Sequence, residues 1–430
     1  MNMNIDDAFR NLTVKVNNGS GCLFQTGDEE HTYVLTARHN LVDTNSIEIK
    51  RILLDHDSCL TVETLDIIGE PYFHDDINID AAICKVKKVT NLPYIKKCDF
   101  NSLGKEDFYL CGHPEVRGAG DSFRLNKLNI LNSREFGYIE GELTPVVNQD
   151  EVSGQSGGGI FYEKNGTPIL IGIQKGMAID DEVEALSRIR ILPYKFFDDI
   201  VNKNSDDLSK LSPSFLASFN EIIRSTYTLN NLPIKKELIQ SELHANAQSF
   251  TDSISPRDIL NCLGFGKLLI KDEPQSSIYD SQLWIGMLEL LIMIQINKNT
   301  GLLSIDDISN MNKKTKLMFG TVVSSWHELI SSLYQSDLTE LDKGGKIFVV
   351  TPNDTTPLVT SYNPDILMNI ANVSPKNIKV GHAITSPFKD IELRHIYDLQ
   401  KTLIENMNNF INADAGNIED LLKNEAKNIV

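Results

Sequence analysis

At 430 residues the chain exceeds the usual size of one domain, and two or three are expected. Hydrophobic content of 41% and charged content of 23% are those of a folded globular protein. The net charge of −18 argues against a surface built for nucleic acid or anionic lipid, since both need clustered Lys and Arg.

The N-terminal run MNMNIDDAFRNLTVKV has neither a basic n-region nor an apolar h-region, so no secretory signal is expected. From there to about residue 200 the chain is a string of short β-branched runs separated by turns. LTVKV, CLFQT, YVLTA, SIEIKRILL, AAICKV, FYLCG, YIEGEL, GIFYE and ILIGIQ follow one another in this way. Such spacing predicts an antiparallel sandwich or barrel. LPYKFFDDIVNK closes the segment as a short amphipathic helix, and the polar run NKNSDDLSKLSPS (202–214) is expected to be a linker.

Beyond it the period changes. SQLWIGMLELLIMIQIN (281–297) and KLMFGTVVSSWHELISSLYQ (316–335) read as helices. In the run 396–411, Ile396, Leu399, Leu403, Met407 and Phe410 form one apolar helix stripe. A short β-like interruption lies at 345–362. The apolar stretch LWIGMLELLIMIQI has 14 residues, where a membrane span needs about 20, so it is expected to be a buried core helix. The expected organisation is a β-rich domain at 1–201, a linker at 202–214 and a mainly helical recognition or regulatory domain at 215–430.

Cys22, Cys59, Cys84, Cys98, Cys111 and Cys262 form no CxxC pair and sit singly, as reduced thiols of a cytoplasmic protein do. Neither a metal-ligand spacing nor a phosphate-binding glycine loop occurs in the second half, so no metal and no cofactor are expected.

Chemistry is sought in SGQSGGGIF (153–161), where glycines let the chain turn tightly around Ser156 and bring the amides of Gly154 and Ser156 to one spot. Acyl transfer by a serine also needs a base, a carboxylate to orient it, and donors for the developing oxyanion. YVLTARHNL places His39 directly after a strand run. INIDAAICKV places Asp80 at the mouth of an apolar run, where a carboxylate requires a hydrogen-bonding partner. Taken singly, each has a plain structural reading: a strand-end histidine, a strand-start turn residue, a β-turn before IFYE. Together they stand in the order His, Asp, Ser, separated by 41 and 76 residues across one β-rich segment.

Residues about 10–200 resemble a trypsin-like serine protease of the chymotrypsin fold, in the style of compact intracellular bacterial members. GSGCLF…YVLTARHN is similar to the family's strand leading into T-A-x-H, IDAAICKV to its D-I-A-L-L-K-L strand, and GQSGGGIF…ILIGIQ to G-x-S-G-G followed by a G-I-x strand. The resemblance implies two packed six-stranded barrels with the site between them, His39 as general base, Asp80 as its orienting acid and Ser156 as nucleophile. It also implies Gly154 and Ser156 as oxyanion donors.

Gln155 departs from the aspartate that receives a freed N-terminus in secreted zymogens, and Asn40 from a disulfide cysteine, which leaves Cys22 unpaired. Gly159 stands in place of a proline, and Arg38 adds a cation near the base. Counting back six residues from Ser156 reaches Asp150, where trypsin keeps its selector for basic residues. Glu151 is adjacent, Asp150 also reads as a solvated loop residue, and Lys175, after Gln174 on the wall strand, would neutralise an acid there. Asp150, Gln174 and Lys175 are thus the candidate substrate contacts.

The two-part layout resembles effector subunits of bacterial antiphage systems by architecture alone. It implies a serine endopeptidase with a protein substrate and a protein partner or self-association, silent until triggered. The competing readings are a silent protease-like scaffold and an interaction protein acting through its helical half.

Overall fold

The computed structural model describes residues 5–27, 30–42, 46–54, 59–98, 106–117, 120–133, 137–145, 147, 152–164, 167–177, 187–298, 301–322, 325–352, 357–362 and 391–429. The chain divides into two compact units, Met1–Ser214 and Phe215–Val430.

The first unit opens with the helix α1 (Ile5–Leu12), which buries Ala8, Phe9 and Leu12. Seven strands follow: β1 (Thr13–Val16), β2 (Gly19–Phe24), β3 (His31–Ala37), β4 (Ile49–Leu54), β5 (Leu60–Thr64), β6 (Ile67–Phe73) and β7 (Ala81–Lys87). They form one sheet in the order β5-β4-β1-β2-β3-β7-β6. The ends of this sheet are one piece of chain, because only Leu65 and Asp66 separate β5 from β6. The Leu65 amide donates to Ile49 O at 2.9 Å and the Lys87 amide to Asp66 O at 2.9 Å, so both ladders run into the joint. A single bent strand over 60–73 therefore serves β4 with its first half and β7 with its second, and the sheet curls into a ring.

The second sheet holds β8 (Lys96–Lys97), β9 (Phe108–Gly112), β10 (Arg124–Ser133), β11 (Ile139–Thr144), β12 (Gly159–Lys164), β13 (Thr167–Met177) and β14 (Arg188–Pro193). Its order is β12-β9-β10-β11-β14-β13-β8, and a direct β12–β13 pairing closes six of these strands into a barrel. Closure removes the exposed edges that an open sheet would present. Phe24, Tyr33, Leu35 and Ile83 from the first sheet share one core with Phe161, Leu170 and Ile173 from the second. The first unit is thus an all-β double barrel of the chymotrypsin kind.

The stretch expected as a linker is held to this unit. The helix Lys195–Lys203 buries Phe196, Phe197, Ile200 and Val201. Leu208 and Leu211 join the same core, and the Ser209 amide donates to the Tyr33 hydroxyl at 2.6 Å. Leucines at 208 and 211 supply the apolar contacts that the polar composition of the run hides.

Helices are concentrated in the second unit. Ser281–Asn297 is apolar all round and almost wholly buried, as a central helix must be. It packs against the helices Lys236–Thr251 and Ile418–Ile429. Among the described residues no helix is long and apolar enough to cross a membrane.

The run 316–335, expected as a helix, instead begins as the strand β15 (Thr315–Phe319), and turns helical only from Trp326, as a 3-10 turn to Leu329 and an α-helix over Ile330–Gln335. β15 runs parallel to β16 (Lys346–Val350), which runs parallel to β18 (Glu392–His395). β17 (Ser361–Tyr362) lies antiparallel beside β18. Every residue of β15 is buried, and a strand covered on both faces lacks the alternation that separates it from a helix in sequence.

Candidate active site

His39 lies in a single turn, Arg38–Asn40, directly after β3. β3 and β7 are antiparallel with Ala37 opposite Ala81, so the residues leaving β3 meet those entering β7. The Arg38 amide donates to Asp80 O at 2.8 Å, and the His39 amide donates to Asp80 Oδ1 at 2.9 Å. His39 Nδ1 then stands 2.6 Å from Asp80 Oδ2. The Asp80 side chain is 14% exposed, while the His39 ring is 51% exposed and open to the cleft. The Arg38 guanidinium lies 4.9 Å from the Phe73 ring centroid, with Nη1 3.4 Å from His74 O.

Ser156 comes from the turn before β12. Its Oγ lies 2.9 Å from His39 Nε2, which completes a hydrogen-bonded line from Ser156 through His39 to Asp80. A second acceptor competes for the same hydroxyl, since Ser156 Oγ also lies 2.5 Å from Lys175 O. That carbonyl is free to turn inward because the β13–β14 register slips between Gln174 and Gly176. Bulges beside active sites commonly re-aim a group in this way.

The turn is clamped on both sides. The amides of Gln155, Gly157 and Gly158 donate to Val152 O (2.9 Å), Gln174 O (2.8 Å) and Gln155 O (2.8 Å). Those of Gly154 and Ser156 donate to no described residue, an unusual state for two backbone donors so close together. Gly154 has φ +87° and Gly157 φ +90°, which favour glycine at both places. A Cβ at Gly157 would lie 2.0 Å from Ser20 O. The glycines after Ser156 therefore serve close approach as well as a tight turn.

Two residues to which sequence reasoning gave no supporting role, Ser20 and Asn40, hold Ser156. The Ser20 amide donates to Ser156 O at 2.7 Å, and the Ser20 hydroxyl donates to Gly154 O at 2.7 Å. Asn40 Nδ2 donates to Ser156 O at 2.8 Å and to Thr36 Oγ1 at 3.1 Å. Asn40 thus ties the turn that carries His39 to Ser156 without a disulfide. The available signal was GSG inside a strand, which marks a close backbone approach.

His39, Asp80 and Ser156 line a cleft of about 530 Å³, which also takes in Glu115, Gln174, Lys175 and Met177. Gln174 is 1% exposed. The Lys175 ammonium rests 5.1 Å from the Tyr138 ring centroid. Asp150 lies outside the described residues, as does Glu151. His113 is buried behind the turn, with Nδ1 2.9 Å from Ser122 Oγ, and burial lowers its pKa to about 4, so it stays neutral. Burial raises the Cys22 and Cys111 thiols well above their ordinary value and Cys84 to about 12, which leaves them inert. Among the described residues no group of His, Cys, Asp and Glu could hold a metal ion.

No curated protein matches the chain. Among solved structures, the crystal structure of the serine endoprotease from Yersinia pestis is similar over 48% of this chain and 68% of that one, at 16% identity and a TM-score of 0.32. A family model described as C-terminal domain 4 of the ABC-three component (ABC-3C) systems matches residues 191–405, half of the chain. The chain belongs to the family of proteins that carry this domain of the ABC-three component systems.

Proposed function

We propose that the protein is a serine endopeptidase acting on a protein substrate within a three-component antiphage system of the bacterial cytoplasm. The observation that carries the reading is the line of contacts at 2.9 Å from Ser156 Oγ to His39 Nε2 and at 2.6 Å from His39 Nδ1 to Asp80. In this reading Ser156 Oγ attacks the scissile carbonyl while His39 Nε2 takes its proton, and Asp80 holds Nδ1–H and stabilises the resulting imidazolium. The Gly154 and Ser156 amides receive the oxyanion. Collapse breaks the peptide bond, His39 returns the proton to the departing amine, and water then clears the acyl-enzyme by the same route.

Lys175 borders the substrate beyond the scissile bond, and Gln174 lies beneath it. The second unit recognises the partners, as its family suggests. The contact from Ser156 Oγ to Lys175 O favours one qualification: at rest the hydroxyl donates to that carbonyl, and the enzyme is restrained until substrate or partner arrives.

Labelling of the full chain with a fluorophosphonate, beside Ser156→Ala and His39→Ala, tests the reading. Adducts on Ser156 in the wild type alone support it. Absence of labelling with and without the other system components would favour a silent scaffold.

A further inference from the structure

A second cavity, of about 550 Å³, opens on the closed barrel of the first unit. Three independent observations bear on it.

The first is an open backbone edge. β10 pairs with β9 from Arg124 to Leu128, but its pairing with β11 starts only at Lys127, opposite Thr144. The next residue along β11 is Pro145, which has no N–H to continue the ladder. Among the described residues Arg124, Leu125 and Asn126 therefore have a strand on one side only, and all three line the cavity. An edge of this kind accepts an extended segment as an added strand.

The second is charge. Arg124 and Lys127 are the only charged residues on the described walls, and both are cationic. Lys127 is half-exposed and pairs with Asp107 at 2.5 Å, whereas among the described residues the Arg124 guanidinium has a hydrogen bond to Phe123 O, at 2.5 Å, and only a longer-range attraction to Asp121. Beside them Val116 is 62% exposed. The fitting occupant is an extended segment with a carboxylate for Arg124 and an apolar side chain for Val116.

The third is the shared wall. Gln155, which immediately precedes Ser156, lines this cavity, as do Pro114 and Val116. Between those two stands Glu115, which lines the cleft and donates its amide to Ser153 O at 2.8 Å. A Cβ on Gly154 would lie 2.8 Å from both Glu115 N and His113 O. Residues 113–116 thus separate the two cavities and brace the turn that carries the oxyanion amides.

We propose that this groove docks an extended, acid-bearing segment of a partner protein, which adds to β10 as a strand and sets the position of the nucleophile turn. The docking stands on the groove itself, while its effect on reactivity rests on the serine-protease reading given above.

The test uses the full chain with a photoreactive benzoylphenylalanine at Val116, or at the 76% exposed Ile77 as control, co-expressed with the other components of its system. Fluorophosphonate labelling rates are measured alongside, with and without those components, in the wild type, Arg124→Glu and Arg124→Gln, each checked by thermal melting. The expected result is an adduct from Val116 and not Ile77 to an acidic stretch of one component, at least about tenfold weaker in Arg124→Glu. The labelling rate should change at least tenfold on adding that component to the wild type, and not to Arg124→Glu.

The docking is refuted if Val116 gives no adduct with a component that binds elsewhere, or if the adduct ignores charge reversal. A cross-link from Val116 into this same chain would replace the partner by an internal segment. A charge-sensitive adduct with an unchanged labelling rate refutes the effect on the turn. If no form is ever labelled but the charge-sensitive adduct persists, the protease reading fails and the docking groove stands.

Discussion

Replacing Gly157 by alanine tests how tightly the nucleophile turn is held. Gly157 has φ +90°, where an ordinary residue is disfavoured by about 1–2 kcal/mol. Its Cβ would lie 2.0 Å from Ser20 O, 2.4 Å from Thr36 Oγ1 and 2.6 Å from Asn40 Nδ2, and real Cβ contacts stay above 3.0 Å. The turn must therefore retreat from β2 by roughly 1 Å, and a misplacement of that size costs about 100-fold in rate. The same shift strains the two bonds that Ser156 O accepts from Ser20 and Asn40. Gly176→Ala is the control, because nothing lies within 4 Å of its new methyl and its φ is unremarkable for alanine. The assay is the second-order rate of fluorophosphonate labelling, with thermal melting in parallel. Gly157→Ala should label about 100-fold more slowly and melt roughly 2–8 °C lower, while Gly176→Ala stays close to wild type. Labelling of Gly157→Ala within threefold of wild type would show that the turn is compliant and the clamp irrelevant.

Four further outcomes are expected. Ser156→Ala should lose all labelling and cleavage with an unchanged melting curve; lost folding would make Ser156 structural. Asp80→Asn keeps the size of the side chain but not the acceptor for His39 Nδ1–H, so reactivity should fall on the order of 10⁴-fold while His39 stays in place. A loss under tenfold would remove Asp80 from the mechanism.

Burial raises the Glu289 carboxyl from 4.5 to about 7, so the folded state holds a proton that the unfolded state has released. Stability of the second unit should then decline as pH rises from about 4.5 through 7. Glu289→Gln keeps an acceptor for the Tyr227 amide and should gain roughly 3 kcal/mol over wild type across that window, read by denaturant melts. A pH-independent difference would refute the assignment. His113 works in the opposite sense. Its pKa is lowered to about 4, so stability of the first unit should be lost as pH falls from about 6.5 toward 4, and His113→Asn should flatten that slope.

Much of the first unit was legible in the sequence because its strands are short β-branched runs and turn residues separate them. Every β run quoted from that half overlaps a strand, with ends that differ by up to three residues. β5 and β10 were overlooked for opposite reasons. LTVET is exposed at all five positions and shows no buried face, while RLNKLNILNS hides its apolar residues among asparagines, an arginine and a lysine. His39 and Asp80 could be picked out as a pair because each sits at a strand end, and the pairing Ala37↔Ala81 sets the residues leaving β3 beside those entering β7; Ser156 was marked by its glycines. The supports were not: Ser20 and Asn40 act through backbone carbonyls far away in sequence, and no local pattern records such a contact. In the second unit the central helix was plain from its length, but β15 was lost because full burial erases periodicity.

The bent strand over 60–73 carries a consequence for how the first barrel assembles. Both of its ladders are hairpins with the strands next to it in the chain, β4–β5 and β6–β7, and hairpins form within about 1–10 μs. The distant pairings, β1 with β4 and β3 with β7, are the slow ones, because they close long loops. Leu65 and Asp66 act as the hasp between two early-formed leaves. Cutting the chain there would leave each hairpin whole and unlink the leaves, so the barrel's integrity depends on a joint far from its chemistry.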